Sequence, residues 1–208
     1  MSDALPSALA VLAAFAAGSI PGGLLLAKWV AGVDVRTIGS GNVGATNVSR
    51  ALGRKWFFVV FALDAGKGAL PVLFFPALAG HPGADWLRVA CGLAAVLGHV
   101  FNPFLAFKGG KGVATAAGVI LALDPRPAVA ALGVFLLVLV LFRYVSLASI
   151  CAAVALAPLM LLFGLSMEVV VFAVLAASVV VLRHRANLGR IAKGSEPRVF
   201  AKKETADV

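Results

Sequence analysis

Long apolar stretches separated by short polar segments make up most of this 208-residue chain. Several of them reach the roughly 20 apolar residues that a helix needs to cross a bilayer. The pattern predicts an all-α, polytopic integral membrane protein with about seven transmembrane helices. Length alone also allows five or six, because the fourth and fifth stretches are short. The stretches are Leu5 to Val30, Trp56 to Leu78, Trp86 to Phe107, Val113 to Leu123, Ala128 to Phe142, Val145 to Phe163 and Val169 to Leu182.

The composition of the chain leads to the same prediction. Hydrophobic residues make up 62% of the chain and charged residues 13%, and the mean hydropathy of +1.02 is far above that of soluble domains. We therefore treat residues 1–208 as one membrane domain. A signal peptide over residues 4–30 is the weaker alternative, since no basic residue precedes Lys28. Cys91 and Cys151 lie within apolar stretches, which predicts neither a disulfide nor metal chemistry.

The positions of the basic residues predict the orientation of the chain. With the N-terminus outside, the outer loops carry only Arg88 and Arg126, as the positive-inside rule requires. The C-terminus is then cytoplasmic. The formal charge of +9 reflects this topology and attraction to an anionic leaflet, so we predict no nucleic-acid partner. The basic residues that fall inside are Arg36, Arg50, Arg54, Lys55, Lys108, Lys111, Arg143, Arg183, Arg185, Arg190, Lys193, Arg198, Lys202 and Lys203.

Three polar segments fall on the predicted cytoplasmic side, each beside the end of a helix. They are "IGSGNVGATNVSR" (residues 38–50), "FKGGKGVAT" (107–115) and "RHRANLGRIAKGSEP" (183–197), called here the first, second and third motif. The outer connectors are short and carry no comparable chemistry. The shared location of the three motifs predicts that they form the walls of one site.

The first two motifs contain the residue types that bind phosphate. Glycines let a ligand approach main-chain N–H groups, and strings of such groups form anion-binding concavities. Arg50 adds a guanidinium fork, while Lys108 and Lys111 precede a helix predicted to start near Val113, whose N-terminus carries partial positive charge. The glycines are Gly39, Gly41, Gly44, Gly109, Gly110 and Gly112, and the neutral donors are Ser40, Asn42, Thr46 and Asn47.

Other interpretations of these motifs remain open. The Walker A pattern is not met, because Gly112 follows Lys111, so nucleotide hydrolysis is disfavoured. Each motif alone could be a flexible re-entrant turn with positive-inside charges. In the third motif, His184 could act as a general base or hold a phosphate, or could simply form a hydrogen bond at a helix end. The same structural role, a hydrogen bond at a helix end, is the alternative for His99. Neither histidine has neighbours at metal-ligand spacing, so we predict no metal site and no cofactor.

Two charged residues interrupt the second apolar stretch. Asp64 and Lys67 lie about 12–17 Å into it if the segment is helical, and their three-residue spacing places them on one face. Charged side chains within a membrane are functional candidates by default. A structural ion pair and a Lys67 that reaches the site are both compatible with the sequence.

The three motifs, in this order, resemble those of the bacterial acyl-phosphate-dependent glycerol-3-phosphate acyltransferases. The segments "LDAGKG" and "RYVSLASI" are also similar to that family, so that the resemblance covers nearly all of residues 19–200. It implies an inner-membrane enzyme that transfers a fatty acyl group from acyl phosphate to glycerol 3-phosphate, giving lysophosphatidic acid. The resemblance implies that the direct donor is neither an acyl carrier protein nor a coenzyme A thioester. We take a monomer in the lipid bilayer as the working expectation.

The resemblance also implies roles for individual residues. Two small departures, Val43 where a proline is common and Asn102-Pro103 in place of Pro-Val, remove no polar group. The implied catalytic residues are Ser40, Arg50, Lys111, His184 and Asn187. The implied substrate-binding residues are Gly39, Gly41, Asn42, Gly44, Thr46, Asn47, His99, Lys108, Gly109, Gly110, Gly112, Ser146 and Glu196.

The sequence favours direct acyl transfer over covalent catalysis. No Ser-His-Asp or Cys-His arrangement is evident, and an acyl phosphate already has a good leaving group. We expect the glycerol hydroxyl to attack directly, with its proton going to a substrate phosphate oxygen or to His184. The rival function is a transporter or channel for an organic phosphate anion, although such sites lie near the midplane between repeats and the chain shows no internal duplication. A non-catalytic scaffold would have no use for clustered anion-binding glycines.

Overall fold

The computed structural model describes residues 4–199. Within this range the chain forms ten α-helices and two short 3-10 turns, Val35–Thr37 and Pro103–Leu105, and no strand. The all-α membrane prediction is confirmed. The helices are α1 (Ala4–Gly18), α2 (Gly22–Ala31), α3 (Ala45–Leu52), α4 (Lys55–Leu78), α5 (Asp85–Val100), α6 (Val113–Leu123), α7 (Pro125–Phe142), α8 (Val145–Leu162), α9 (Met167–Arg183) and α10 (Arg185–Ala192).

Each predicted apolar stretch contains helix, and the differences concern breaks and lengths. By length and composition, five helical stretches among the described residues can cross a membrane, with α1 and α2 together counted as one. The number rises to six if α9 and α10, which meet at a bend of 55°, form one span. The predicted stretch from Val113 to Leu123 is a helix of 11 residues, shorter than these. Five or six of the described stretches thus meet the length for a full crossing, a number that the prediction of about seven helices also allowed.

The first apolar stretch is divided by a break at residues 19–21. Pro21 lacks an N–H and precedes two glycines, a combination that interrupts helical hydrogen bonding. Side chains from distant parts of the chain bind the main-chain carbonyls of the break: Asn102 donates to the carbonyl of Ser19 at 2.6 Å, and Lys67 donates to that of Ile20 at 2.9 Å. The break is thus fixed by residues of α4 and of the segment after α5.

Helices α4 and α5 form the centre of the molecule. Helix α4 packs against α1, α3, α5 and α6, and α5 packs against α1 and α9. Glycines allow close backbone approach, as in many membrane proteins: a Cβ at Gly118 of α6 would overlap the carbonyl of Ala65 in α4. On the outside, α7 exposes large apolar side chains such as Leu137 and Val140, as expected for a surface covered by lipid.

The first motif is held against α2 and α4 by apolar contacts. Val35, Val43 and Val48 are buried in one cluster with Leu24 of α2 and Val60 of α4. Within this cluster, a Cβ at Gly23 would overlap the carbonyl of Val43, so α2 and the motif approach each other closely. Burial of these valines fixes the backbone from which the polar residues of the motif project.

Candidate active site

The second motif is a tight loop between the end of α5 and the start of α6. The N–H groups of Gly109 and Gly110 donate to the carbonyls of Val100 and His99, each at 3.1 Å. A Cβ at Gly109 would overlap the carbonyl of His99, and Gly112 has a positive φ of 84°. The glycines are therefore required for packing and backbone conformation.

This geometry corrects one step of the sequence argument. The N–H groups of Gly109 and Gly110 cannot form the predicted anion-binding concavity in this conformation, because they are bonded within the protein. The N–H groups of Lys111 and Gly112, by contrast, have no hydrogen-bond partner among residues 4–199. They lie at the N-terminus of α6, where the helix dipole favours an anion. The available donors thus lie two residues further along the loop.

Arg183, at the end of α9, braces the same loop. Its guanidinium donates to the carbonyl of Gly109 at 2.8 Å and to that of Gly110 at 3.2 Å. From the sequence, Arg183 is predicted only to be a positive-inside charge, because a basic residue at a helix end carries no further signal. Its role depends on the 55° bend that follows it, which the sequence does not show.

The third motif contributes a hydrogen-bonded chain that ends on Lys111. The ammonium of Lys111 donates to Oδ1 of Asn187 at 2.6 Å, and Nδ2 of Asn187 donates to Oε1 of Glu196 at 2.6 Å. Ser146 of α8 donates to the same Glu196 oxygen at 2.7 Å, and Arg190 to the other oxygen at 2.7 Å. The structure therefore brings together four residues predicted from three separate segments: Lys111, Ser146, Asn187 and Glu196.

Glu196 contacts these protein groups, so its observed role is to orient Asn187. Burial raises the pKa of this carboxyl, but hydrogen bonds from Asn187, Ser146 and Arg190 and the charge of Arg190 outweigh burial, so its pKa lies below the ordinary value. Glu196 is then ionised at neutral pH and fixes the side-chain amide of Asn187, with Nδ2 toward itself and Oδ1 toward Lys111. A direct contact between Glu196 and substrate stays a prediction.

His184 lies at the bend between α9 and α10 and is buried. Its Nδ1 is 2.8 Å from the carbonyl of Val180. Because a carbonyl can only accept a hydrogen bond, Nδ1 carries the proton in the neutral ring, which leaves Nε2 as the acceptor. This contact is the helix-end hydrogen bond considered from the sequence, and it leaves the proposed role as a base open.

The first motif is organised by Asn47, which is buried. Its Oδ1 accepts from the N–H and the hydroxyl of Ser40 at 3.0 and 3.2 Å, and its Nδ2 donates to the carbonyls of Val35 and Ile38. Asn47 thus holds the loop in shape from within. Asn42 accepts from the N–H of Gly44, so it too shapes the loop. A role for either amide as a substrate donor stays a prediction.

Three polar residues of the first motif are exposed at least in part. Ser40 is exposed next to Gly39 and Gly41, both with positive φ. Arg50 on α3 is exposed and makes no hydrogen bond or ion pair with any residue of 4–199. Thr46 lies on the first turn of α3 and is partly exposed. The free guanidinium of Arg50 is therefore available to an anion.

The electrostatics of Lys111 show that the three motifs meet. The pKa of Lys111 is lowered to about 8, chiefly by burial and further by the charges of Arg190, Arg50 and Arg183, against the opposing charge of Glu196. Arg50 belongs to the first motif, while Arg183 and Arg190 belong to the third. Three arginines and one carboxylate thus lie near Lys111, which leaves a net positive site beside the start of α6. Lys108 is exposed at its edge.

The ion pair predicted in the second apolar stretch is present. Nζ of Lys67 is 2.7 Å from Oδ1 of Asp64 within α4; Asp64 is buried, and the Lys67 side chain is 9% exposed. The Nδ1 atom of His99 in α5 lies 3.7 Å from the same oxygen. His99 is buried behind the second motif, and contact between His99 and substrate stays a prediction.

Among residues 4–199, no group of three histidine, cysteine or carboxylate side chains is placed to hold a metal ion.

The family model described as glycerol-3-phosphate acyltransferase matches residues 8–194. The chain belongs to this family. Curated relatives of that name share 49% identity over 187 residues in Geotalea daltonii, 48% over 192 residues in Trichlorobacter lovleyi and 46% over 188 residues in Myxococcus xanthus. These alignments cover 89%, 92% and 90% of the chain and 94%, 96% and 97% of the relatives.

Two solved structures have the same fold. Both are crystal structures of PlsY, an integral membrane glycerol 3-phosphate acyltransferase, one in a glycerol 3-phosphate form and one in a lysophosphatidic acid form. The first has a TM-score of 0.86 and 43% identity, and the second a TM-score of 0.85 and 42% identity. Each match covers 92% of this chain and 94% of the other chain. The fold and its helical membrane character are therefore those of the family.

Proposed function

We propose that this protein transfers a fatty acyl group from acyl phosphate to glycerol 3-phosphate, forming lysophosphatidic acid and inorganic phosphate. The observation that carries the proposal is the site in which Lys111, bonded to Asn187, lies among Arg50, Arg183 and Arg190. Such a site suits phosphate-bearing substrates, and relatives of the same fold are known in forms with glycerol 3-phosphate and with lysophosphatidic acid. With acyl phosphate as the donor, each substrate carries one phosphate group, and the cationic side chains would hold the two phosphates side by side.

The reaction needs little covalent chemistry from the protein. The hydroxyl oxygen of glycerol 3-phosphate forms a bond to the acyl carbon, and the bond from that carbon to the phosphate oxygen breaks. The cationic side chains position both phosphates and stabilise the charge that develops on the leaving phosphate. The proton of the hydroxyl goes either to a substrate phosphate oxygen, whose second pKa is about 6 in phosphomonoesters, or to Nε2 of His184.

The variant His184→Ala separates these two acceptors. If a substrate phosphate takes the proton, most of the turnover number survives and the loss appears mainly in KM. If His184 takes it, the turnover number falls by about 100-fold or more, as for loss of a general base. Thermal unfolding in detergent serves as the control for folding, since the ring also binds the carbonyl of Val180.

The activity is tested with purified protein in detergent and radiolabelled glycerol 3-phosphate. We expect lysophosphatidic acid with acyl phosphate and none with acyl-coenzyme A or acyl carrier protein as donor. Lys111→Met should reduce kcat/KM by about 10- to 100-fold, the cost of one charge-assisted hydrogen bond, whereas the exposed Lys193→Met should have no effect. Product in detergent, without compartments, excludes a pure transporter; no product with acyl phosphate would overturn the proposal.

We also propose that the site faces the cytoplasm of a bacterial inner membrane. The basic residues of the loops that carry the motifs support this orientation. Cysteines introduced at Ser40 and Lys193 should react with impermeant reagents only from the cytoplasmic side, and a cysteine at Gly83 only from the other. Labelling of Ser40 and Gly83 from the same side would contradict the orientation.

A further inference from the structure

A buried network of Asp64, Lys67 and His99 lies beside the site, and the proposed chemistry does not use it. Lys67 contacts Asp64 at 2.7 Å, and His99 lies 3.7 Å from the same carboxylate oxygen. The three side chains are 9% exposed or less. Charged groups buried in a membrane protein are costly and mark function more often than stability. The question is what the network does.

One end of the network contacts the segment that leads to the first motif. Lys67 donates to the carbonyl of Ile20 at 2.9 Å, in the break that precedes α2. Helix α2 then packs against the first motif, because Gly23 lies directly on the carbonyl of Val43. Lys67 therefore fixes the start of the helix on which the first motif rests.

The other end contacts the second motif. A Cβ at Gly110 would overlap Nε2 of the His99 ring and would lie 2.7 Å from its Cε1. The imidazole is thus packed against the main chain of the loop, one residue before Lys111. At Gly109 the obstacle is different, since a Cβ there would meet main-chain carbonyl oxygens of His99 and Val100.

We propose that Asp64, Lys67 and His99 are positioning residues that hold the second motif, and with it Lys111, in register with the first motif. The proposal rests on the acyltransferase function given above. The network connects the α1–α2 break to the glycine loop through side chains alone. Loss of the network should leave the phosphate-binding cations present but change the distances between them. The affinity for glycerol 3-phosphate should then fall.

The contact between His99 and Gly110 can be tested with a matched pair of double variants. Gly110→Ala should lower kcat/KM for glycerol 3-phosphate by about tenfold or more. His99→Ala removes the ring that the new methyl group would strike, so the double variant should be no worse than His99→Ala alone. In the control, Gly109→Ala combined with His99→Ala, the two losses should multiply, because the obstacle is main chain. Multiplying losses for Gly110→Ala and His99→Ala as well would overturn the proposal.

The ion pair of the network is tested by a double variant in which both charged residues are replaced by uncharged ones. Asp64→Asn with Lys67→Met removes both charges and should fold, whereas either change alone leaves a buried charge unpaired. Methionine cannot donate to the carbonyl of Ile20, so we expect a rise in the KM for glycerol 3-phosphate of about tenfold, with a smaller change in the turnover number. Lys67→Arg alone, which keeps both the ion pair with Asp64 and a donor to the carbonyl of Ile20, should stay closer to the wild-type KM. A wild-type KM in the methionine variant would overturn the proposal.

Two measurements distinguish a failure of the proposed function from a failure of the positioning role: product formation by the wild-type protein, and binding of radiolabelled glycerol 3-phosphate in the absence of acyl donor. If the wild-type protein makes no lysophosphatidic acid, the proposed function fails. If it does, and the variants of the network bind glycerol 3-phosphate as tightly as the wild type, only the positioning role fails.

Discussion

Raising the pH above 8 should remove the positive charge of Lys111 and weaken the binding of glycerol 3-phosphate. Burial and the charges of neighbouring arginines together lower the pKa of this lysine to about 8, against the opposing charge of Glu196. The ammonium is the protonated form, so it is present below the pKa and lost above it. With this pKa, about nine tenths of the free protein carries the charge at pH 7 and about one tenth at pH 9.

The expected kinetic result follows from these fractions. The value of kcat/KM for glycerol 3-phosphate should fall with rising pH above pH 8, because it reports on ionisations of the free enzyme, and should approach the loss of about 10- to 100-fold expected for Lys111→Met. The phosphate of the substrate is already fully ionised there, since its second pKa is about 6. Bound phosphate stabilises the ammonium, so the decline in the turnover number should begin at a higher pH.

Initial rates between pH 6.5 and 10 measure this effect, with saturating acyl phosphate and blanks for its spontaneous hydrolysis. In Lys111→Arg the cation cannot lose its proton over this range, so the alkaline decline should disappear even if the overall rate is lower. The exposed Lys193→Arg is the matched control and should keep the decline. The same alkaline decline in Lys111→Arg and wild type would refute the assignment to Lys111.

Three further changes test the packing and bracing of the site. Glu196→Gln weakens the hydrogen bonds from the groups around it, so the free energy of unfolding should drop by about 1–3 kcal/mol; an unchanged melting temperature would contradict this role. Arg183→Lys cannot keep both hydrogen bonds to the carbonyls of the second motif, so the KM for glycerol 3-phosphate should rise about tenfold. The control Arg185→Lys, at an exposed position, should have the wild-type KM. Gly118→Ala places a methyl group against the backbone of α4 and should lower the melting temperature in detergent. Gly133→Ala is the control and should not lower it, because no atom lies within 4 Å of the added methyl group. Equal melting temperatures for the two variants would refute the close packing of α4 and α6.

Local patterns in the sequence predict the helices well. The bounds Val113 to Leu123 agree with α6 at both ends, because Gly112 with positive φ caps one end and Asp124-Pro125 limits the other. The break at Pro21 is not predicted, because the apolar residues on both sides of it form one continuous stretch in the sequence. The shortness of α6 explains why fewer helices than seven meet the length for a crossing.

The contacts of the site depend on tertiary packing and could be predicted only in part. The motif resemblance named Lys111, Asn187 and Glu196, but their hydrogen bonds join residues up to 76 positions apart. Glycines 109 and 110 were assigned to phosphate, whereas the structure shows close contact with His99 and Val100. No pattern along the chain indicates which neighbour a glycine will meet, since that depends on how α5 and the loop pack.

The most direct test of the account is a structure of this protein with glycerol 3-phosphate bound. We expect the ligand in the space among Arg50, Lys111 and Asn187, with its phosphate within hydrogen-bonding distance of Arg50 and Lys111. A ligand bound elsewhere, or one that contacts a single motif and leaves both Arg50 and Lys111 without contact, would contradict the claim that three motifs form one phosphate-binding site.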